Sequence, residues 1–356
     1  MLDLFSLQAE IRTEVRRLGF SHMGIAPALP VPRYQEYLKW VRAGRHADMG
    51  YLSRSDALAK RADPGLILEG CQRVICLAMP YQRPQTPVQQ TQSGFGRVSA
   101  YARTRDYHET LWEKLTQLED FIQTRSGGNA RLKSYVDTGP ILERTFAAYA
   151  GIGVPGKNTC LIVPGSGSYF FLAEVLIDLP LPVDAPLTLD LCGACQRCME
   201  ACPTGCILPD RTIDAGRCIS YLTIENKGLI PDSLKGMVGD WFFGCDMCQM
   251  VCPHNAQTAE PGPSLGEPII PEYIDLVELL TWDEVNFQRE LGGTPLLRAK
   301  RNGLLRNAAL VLGNQCLIEA LPGLQDLLSK ESDPIVQDAC YWAINQITEG
   351  MASGSQ

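Results

Sequence analysis

The feature that most constrains this chain is a block of cysteines between residues 192 and 252. Its first part reads CGACQRCMEACP, or CxxCxxCxxxCP. Its second part is Cys218 alone, followed by CDMCQMVCP, or CxxCxxxCP. Three thiolates on one tight turn can hold three corners of an iron-sulfur cube, while the fourth cysteine, followed by proline, ligates a second cube. On that crossover logic Cys192, Cys195, Cys198 and Cys252 bind one [4Fe-4S] cluster, and Cys202, Cys218, Cys245 and Cys248 bind the other. Zinc is the competing reading, because CxxC pairs bind it too. A zinc site needs only two such pairs, which leaves the third cysteine and the repeated CP ending without a purpose. The remaining cysteines, Cys71, Cys76, Cys160, Cys206, Cys316 and Cys340, have no partner at ligand spacing and are expected to be small buried hydrophobes.

Fourteen cysteines without a secretion signal point to reduced thiols and metal ligands, not disulfides. Asp3, Glu10 and Glu14 stand where a signal peptide would need a basic and then an apolar segment, and no apolar run is long enough to span a bilayer. A cytoplasmic location away from membranes is expected. At 356 residues there is room for two or three domains, each with its own core. The cysteine block divides the chain into 1–185, 186–262 and 263–356.

In the first segment, helical periods at residues 7–18 and 110–122 alternate with a buried-strand candidate at 74–79, which implies α/β or α+β architecture. Residues 82–96, rich in Pro, Gln and Gly, read as a long loop. In the last segment, residues 304–313 align with 335–344 at an offset of 31 residues, placing Ala308 over Ala339. Two unrelated amphipathic helices or a short helical repeat of the HEAT type would both give this pattern. The formal charge of -8 argues against indiscriminate nucleic-acid binding. Two basic islands nevertheless lack acidic residues, one over 71–105 and one over 291–318. The second contains Arg298, Lys300, Arg301 and Arg306.

Two near-motifs are decoys. GIGVPGKN at 151–158 falls one residue short of a phosphate loop, with Asn158 where a magnesium-binding hydroxyl belongs. DYHETL at 106–111 falls one residue short of the DxHxxG pattern that places a histidine on cobalt, so His108 is not assigned as a metal ligand. His22, His46 and His254 are expected to be packed or surface residues. More informative is KSYVDTGPILERTFAAYAGIG, in which a strand ends near Val136 and a helix over 141–150 has proline ahead of it. Asp137 therefore lies between strand and helix, where it can serve catalysis or cap the helix.

Taken together, KRADP (60–64), RDYH (105–108), VDTGPILER (136–144), GKNT (156–159), CGACQRCMEACPTG (192–205), RCISYLTIE (217–225) and GCDMCQMVCP (244–253) resemble the epoxyqueuosine reductases. The resemblance implies an α+β multidomain protein. A nitroreductase-like α/β domain would bind cobalamin, a ferredoxin-like domain would carry two [4Fe-4S] clusters, and a HEAT-like helical domain would follow. It implies two-electron reduction of the epoxide on a modified tRNA wobble base, with Asp137 as proton donor. By the same resemblance Arg61, Asp137, Lys157, Asn158, Ser220, Gly244, Cys245 and Asp246 would contact cobalamin. Lys227 would touch tRNA, and with a tRNA substrate the basic residues Arg298, Lys300, Arg301 and Arg306 gain phosphates to meet.

The expected partners are epoxyqueuosine-bearing tRNA and a low-potential electron donor such as flavodoxin or ferredoxin, and a monomer is expected. Whether cobalt attacks the epoxide carbon or only donates electrons is left open. To act as an acid near neutral pH, Asp137 would need its pKa raised by burial. The alternatives are a dehalogenase-like corrinoid reductase acting on a small molecule, and a non-catalytic electron carrier.

Overall fold

The computed structural model describes residues 3–85, 92–256 and 265–353. Residues 86–91 of the expected 82–96 loop, and the boundary at 262/263, fall outside them. The strands are β1 (His22–Pro27), β2 (Arg73–Pro80), β3 (Phe95–Val98), β4 (Leu132–Tyr135), β5 (Val154–Pro155), β6 (Leu161–Ile162), β7 (Phe170–Ile177), β8 (Trp241–Phe243) and β9 (Tyr273–Asp275). The main sheet has the order β1-β2-β7-β4, with every neighbour antiparallel. It is therefore an α+β arrangement and not a parallel, alternating one.

The apolar run of β2 occupies the centre of this sheet and is buried from Val74 to its end. A strand buried on both faces needs cover on both. The helices Leu4–Arg17 and Tyr107–Arg125 supply it on one side, with Leu7, Ile11 and Val15 and then Leu111, Leu115, Leu118 and Ile122 against Ile75, Leu77 and Val175. Each such side chain contributes roughly 1.5–3 kcal/mol on burial. The helix Glu143–Tyr149 covers the other side, packing Phe146 and Ala147 with Cys76 and Leu176. It comes so close to β1 that a Cβ at Gly24 would stand 2.1 Å from the Ala150 carbonyl oxygen.

The three expected segments do not each enclose a core. A second sheet, β8-β3-β9, takes one strand from each of them. One continuous apolar cluster joins Val98, Leu222, Phe242 and Phe243 to the C-terminal helices. Residues 303–313 of the helix Lys300–Asn314 are buried throughout. This helix packs on Pro334–Ser353, tightest where Gly313 meets Ala343. The cysteine block is thus clamped between a sheet on one side and helices on the other. Cysteine motifs punctuate the sequence visibly, whereas WFF at 241–243 carries no sign of the strand it will pair with. No helix among the described residues is long and apolar enough to cross a membrane.

Candidate active site and cluster ligands

Cys192, Cys195, Cys198 and Cys252 line one small cavity together with Lys157 and His254. Two short helices that follow the CxxC turns, Arg197–Glu200 and Met247–Met250, pack on each other and so bring Cys252 across to the first motif. Asp190 fixes the entrance, its carboxylate accepting from the Cys192 and Gly193 amides at 3.1 and 3.3 Å. Lys157 does not face the larger cavity described below. Its Nζ donates to the Gly193 and Cys195 carbonyls at 2.9 and 2.8 Å, and its backbone amide reaches the Cys192 sulfur at 3.4 Å. Asn158 is likewise occupied, donating to the Cys248 carbonyl at 3.4 Å.

The second set is knit together by thiols that the spacing argument set aside. Cys206 is not simply a packed hydrophobe: its sulfur lies 3.5 Å from that of Cys202 and also hydrogen-bonds Cys218. Cys160, also expected to be inert, faces Cys248. The Cys206 contact lowers Cys202 to about 5 and Cys218 to about 7, which favours the thiolate that binds iron. Cys245 is pushed well up by burial and lies near enough to Cys218 and Cys202 to feel their charge.

Cys218 and Ser220 also form one wall of a cavity of about 580 Å³. Tyr101, Tyr107, Ile224 and Leu297 give it apolar sides, and Asp137 and Arg298 also line it. Asp137 follows β4 with a left-handed φ of 54°, a conformation a short polar side chain tolerates better than most. It does not cap the next helix, whose N-cap is Leu142 and which has no side-chain cap. Instead its Oδ2 accepts from the Tyr107 hydroxyl at 3.1 Å and lies 3.5 Å from His108 Nε2 and 4.0 Å from Arg298. His108 Nδ1 is in turn 2.7 Å from Asp106, whose carboxylate also caps the Tyr107–Arg125 helix.

The expected upward shift of the Asp137 pKa is not found here. Burial does push Asp137 upward, but His108, Arg298 and Tyr107 together outweigh it, and its pKa lies below the ordinary value. Burial is the largest single influence on this carboxyl, and only the three partners acting together reverse it. For His108 burial works downward, yet hydrogen bonds to Asp106 and Asp137 raise it to about 9. The proton resident at neutral pH therefore sits on the imidazole. His108, considered only as a cobalt ligand and declined, was missed in this role; its place in RDYH, between Asp106 and the helix it opens, was the available signal. Behind the loop, Glu143 faces the Asp137 backbone and the fully buried Glu174 of β7. Burial, then the Asp137 charge, raises Glu143 to about 8, and Glu174 is raised further still.

The other expected residues divide clearly. Gly244 has φ 69°, and a Cβ there would collide with Ser99 Oγ. Asp246 is buried and accepts the Ala100 amide at 2.6 Å, while Arg61 is buried over the Tyr37 ring; neither lines the cavity. Lys227 donates to the Ile224 and Arg298 carbonyls, both at 2.7 Å, and Arg301 pairs with Glu331 at 2.7 Å. Arg298 pairs with Glu225 at the cavity mouth, and Lys300 is exposed. Arg306 contradicts the expected phosphate contact: it is 2% exposed and donates to the carbonyls of Leu222, Asn226 and Gly228.

Comparison with known proteins gives a consistent result. Residues 191–255 match a 4Fe-4S double cluster binding domain, and residues 61–138 match the model described as Epoxyqueuosine reductase QueG, DUF1730. Epoxyqueuosine reductases of Pseudomonas aeruginosa and Escherichia coli are 37% and 38% identical to the chain. The alignments cover 97% and 98% of it, and 95% and 91% of those proteins. A crystal structure of an epoxyqueuosine reductase with an epoxyqueuosine-modified tRNA-Tyr stem loop superposes with a TM-score of 0.87 at 31% identity, covering 97% of this chain and 91% of that one. The Bacillus subtilis enzyme, in a structure whose catalytic aspartate loop is swung out of the active site, gives 0.86 at 30% identity, with the same coverage. The chain belongs to the epoxyqueuosine reductase family.

Proposed function

We propose that this chain reduces the epoxide of epoxyqueuosine at the tRNA wobble position, using cobalamin held in the 580 Å³ cavity and two [4Fe-4S] clusters. One observation carries the reading: a single cavity is lined both by a cluster cysteine, Cys218, and by the His108–Asp137 pair. The donor set fits a corrin. Apolar and aromatic sides suit a flat macrocycle, and Ser220 offers a hydroxyl among them. Bound cobalamin supplies low-potential electrons at cobalt. On this reading the first segment is the nitroreductase-like cobalamin domain and the C-terminal helices are a short HEAT-like array.

The reaction consumes two electrons and two protons, turning the epoxide into an alkene and water. As the C–O bond opens, charge develops on oxygen, and a proton must be available at neutral pH. His108 holds that proton, Asp137 lines the same cavity 3.5 Å from it, and Tyr107 orients the carboxylate. Arg298 at the mouth and exposed Lys300 nearby are placed to meet tRNA phosphates. The gene-deletion strain tests the reading: nucleoside mass spectrometry of its tRNA should find epoxyqueuosine accumulating, and the plasmid-borne gene should restore queuosine. Unchanged queuosine in the deletion strain would overturn it.

A further inference from the structure

Among the cysteines outside the ligand motifs, Cys206 has the most unusual surroundings. It is 3% exposed, yet it belongs to none of the apolar clusters that enclose Cys76 and Cys340. Its closest polar partners are two cluster ligands: the Cys202 sulfur at 3.5 Å and the Cys218 thiol. The backbone fixes it there. Gly205 turns the chain with φ 60°, the Asp214 amide donates to the Cys206 carbonyl at 2.9 Å, and a bridge pairs Ile207 with Ile213 immediately afterwards. A thiol in contact with one ligand sulfur and hydrogen-bonded to another lies within a side-chain rotation of the same iron, since iron-thiolate bonds are about 2.3 Å, as for zinc.

We propose that Cys206 is a reserve ligand of the second cluster, binding the iron at the Cys202 corner whenever Cys202 is released or replaced. The step is a ligand exchange. The iron–sulfur bond to Cys202 breaks, Cys206 loses its proton to solvent, and its thiolate forms the new bond with no change in oxidation state. The proposal rests on the two-cluster reading of the segment. Without a reserve, loss of one thiolate would open a cube that borders the active cavity.

The test is iron content and electron paramagnetic resonance of the full-length protein after anaerobic reconstitution. Wild type should carry about eight irons, the content of two [4Fe-4S] clusters; fewer would count against the two-cluster reading itself. Given eight in wild type, Cys202→Ser should keep about eight with an altered signal, and Cys202→Ser/Cys206→Ser should keep about four. Equal loss in the single and double variants overturns the proposal, as does a Cys202→Ser cluster that depends on Cys160 instead. If Cys202→Ser does not fold, iron release to a chelator from Cys206→Ser and wild-type holoprotein decides. Release should be severalfold faster in the variant, and equal rates overturn the reserve role.

Discussion

The two cluster sites come from one motif but sit in different surroundings. The first lies among exposed residues, Gly193, Ala194, Gln196 and Arg197, with Lys157 and His254 beside its cysteines. The second borders the active cavity through Cys218 and has two additional thiols against its ligands, Cys206 and Cys160. A site at the surface suits electron intake from a partner, and a site in the cavity wall suits delivery. The difference teaches that motif spacing defines ligand sets, while direction of flow comes from what packs around them.

The largest effects should come from breaking either site. Cys198→Ser and Cys245→Ser should each remove about half the iron and nearly all turnover. Only Cys245→Ser should also disturb the visible spectrum of bound cobalamin, because its cluster shares the cavity wall. If both variants lose the same cluster signal in electron paramagnetic resonance, the two sets are wrongly divided. Asp137→Asn comes next. It leaves both clusters and the cavity walls intact but removes the carboxylate beside His108, so turnover should fall by roughly 10²- to 10⁴-fold with iron and cobalamin content unchanged. Near-normal turnover would return Asp137 to a structural role.

These residues also show what could be read in the sequence. The helix faces Leu7–Ile11–Val15 and Leu111–Leu115–Leu118–Ile122 were legible because apolar periodicity records burial directly. The cysteine sets were legible because ligand spacing is local. Arg306 was not. One basic residue in a basic island looks like its neighbours, and only the fold reveals that its guanidinium fills the donor needs of three buried carbonyls. His108 and Cys206 were missed for a related reason, since each acquires its role from partners brought close by tertiary structure. The pairing of β3, β8 and β9 across the expected segments was not legible, because short strands carry little pattern.

The pH dependence sharpens the contrast between Asp137 and His108. With His108 raised to about 9 and Asp137 lowered, the pair keeps its proton through neutral pH and loses it as pH climbs past about 9. The stability gained from the charged imidazole is full below its ordinary value near 6.5 and is lost through the same rise. Activity should therefore hold through neutrality and decline above about pH 9, whereas His108→Gln should lose rate at neutral pH and no longer show that alkaline limb. A wild-type profile already falling near pH 5, where an isolated carboxylic acid would lose its proton, would instead make Asp137 the resident acid.

The smallest expected effect separates two neighbours in the basic island. Lys300 is exposed at the start of its helix, while Arg306 lies one and a half helical turns further along and is buried. A cation that meets a phosphate displaces a bound counterion, so its removal weakens binding and flattens the salt dependence by about one unit of slope. Lys300→Ala should raise the KM for tRNA severalfold at physiological salt, flatten that slope, and leave kcat and thermal stability near wild type. Arg306→Met should do the opposite. It strands the carbonyls of Leu222, Asn226 and Gly228 without a donor, each costing about 1–3 kcal/mol, and lowers the unfolding temperature without changing the salt slope of whatever protein remains folded. If Lys300→Ala leaves the slope untouched, the island contributes nothing to tRNA binding at that position, and its exposed charge is ordinary solvated surface.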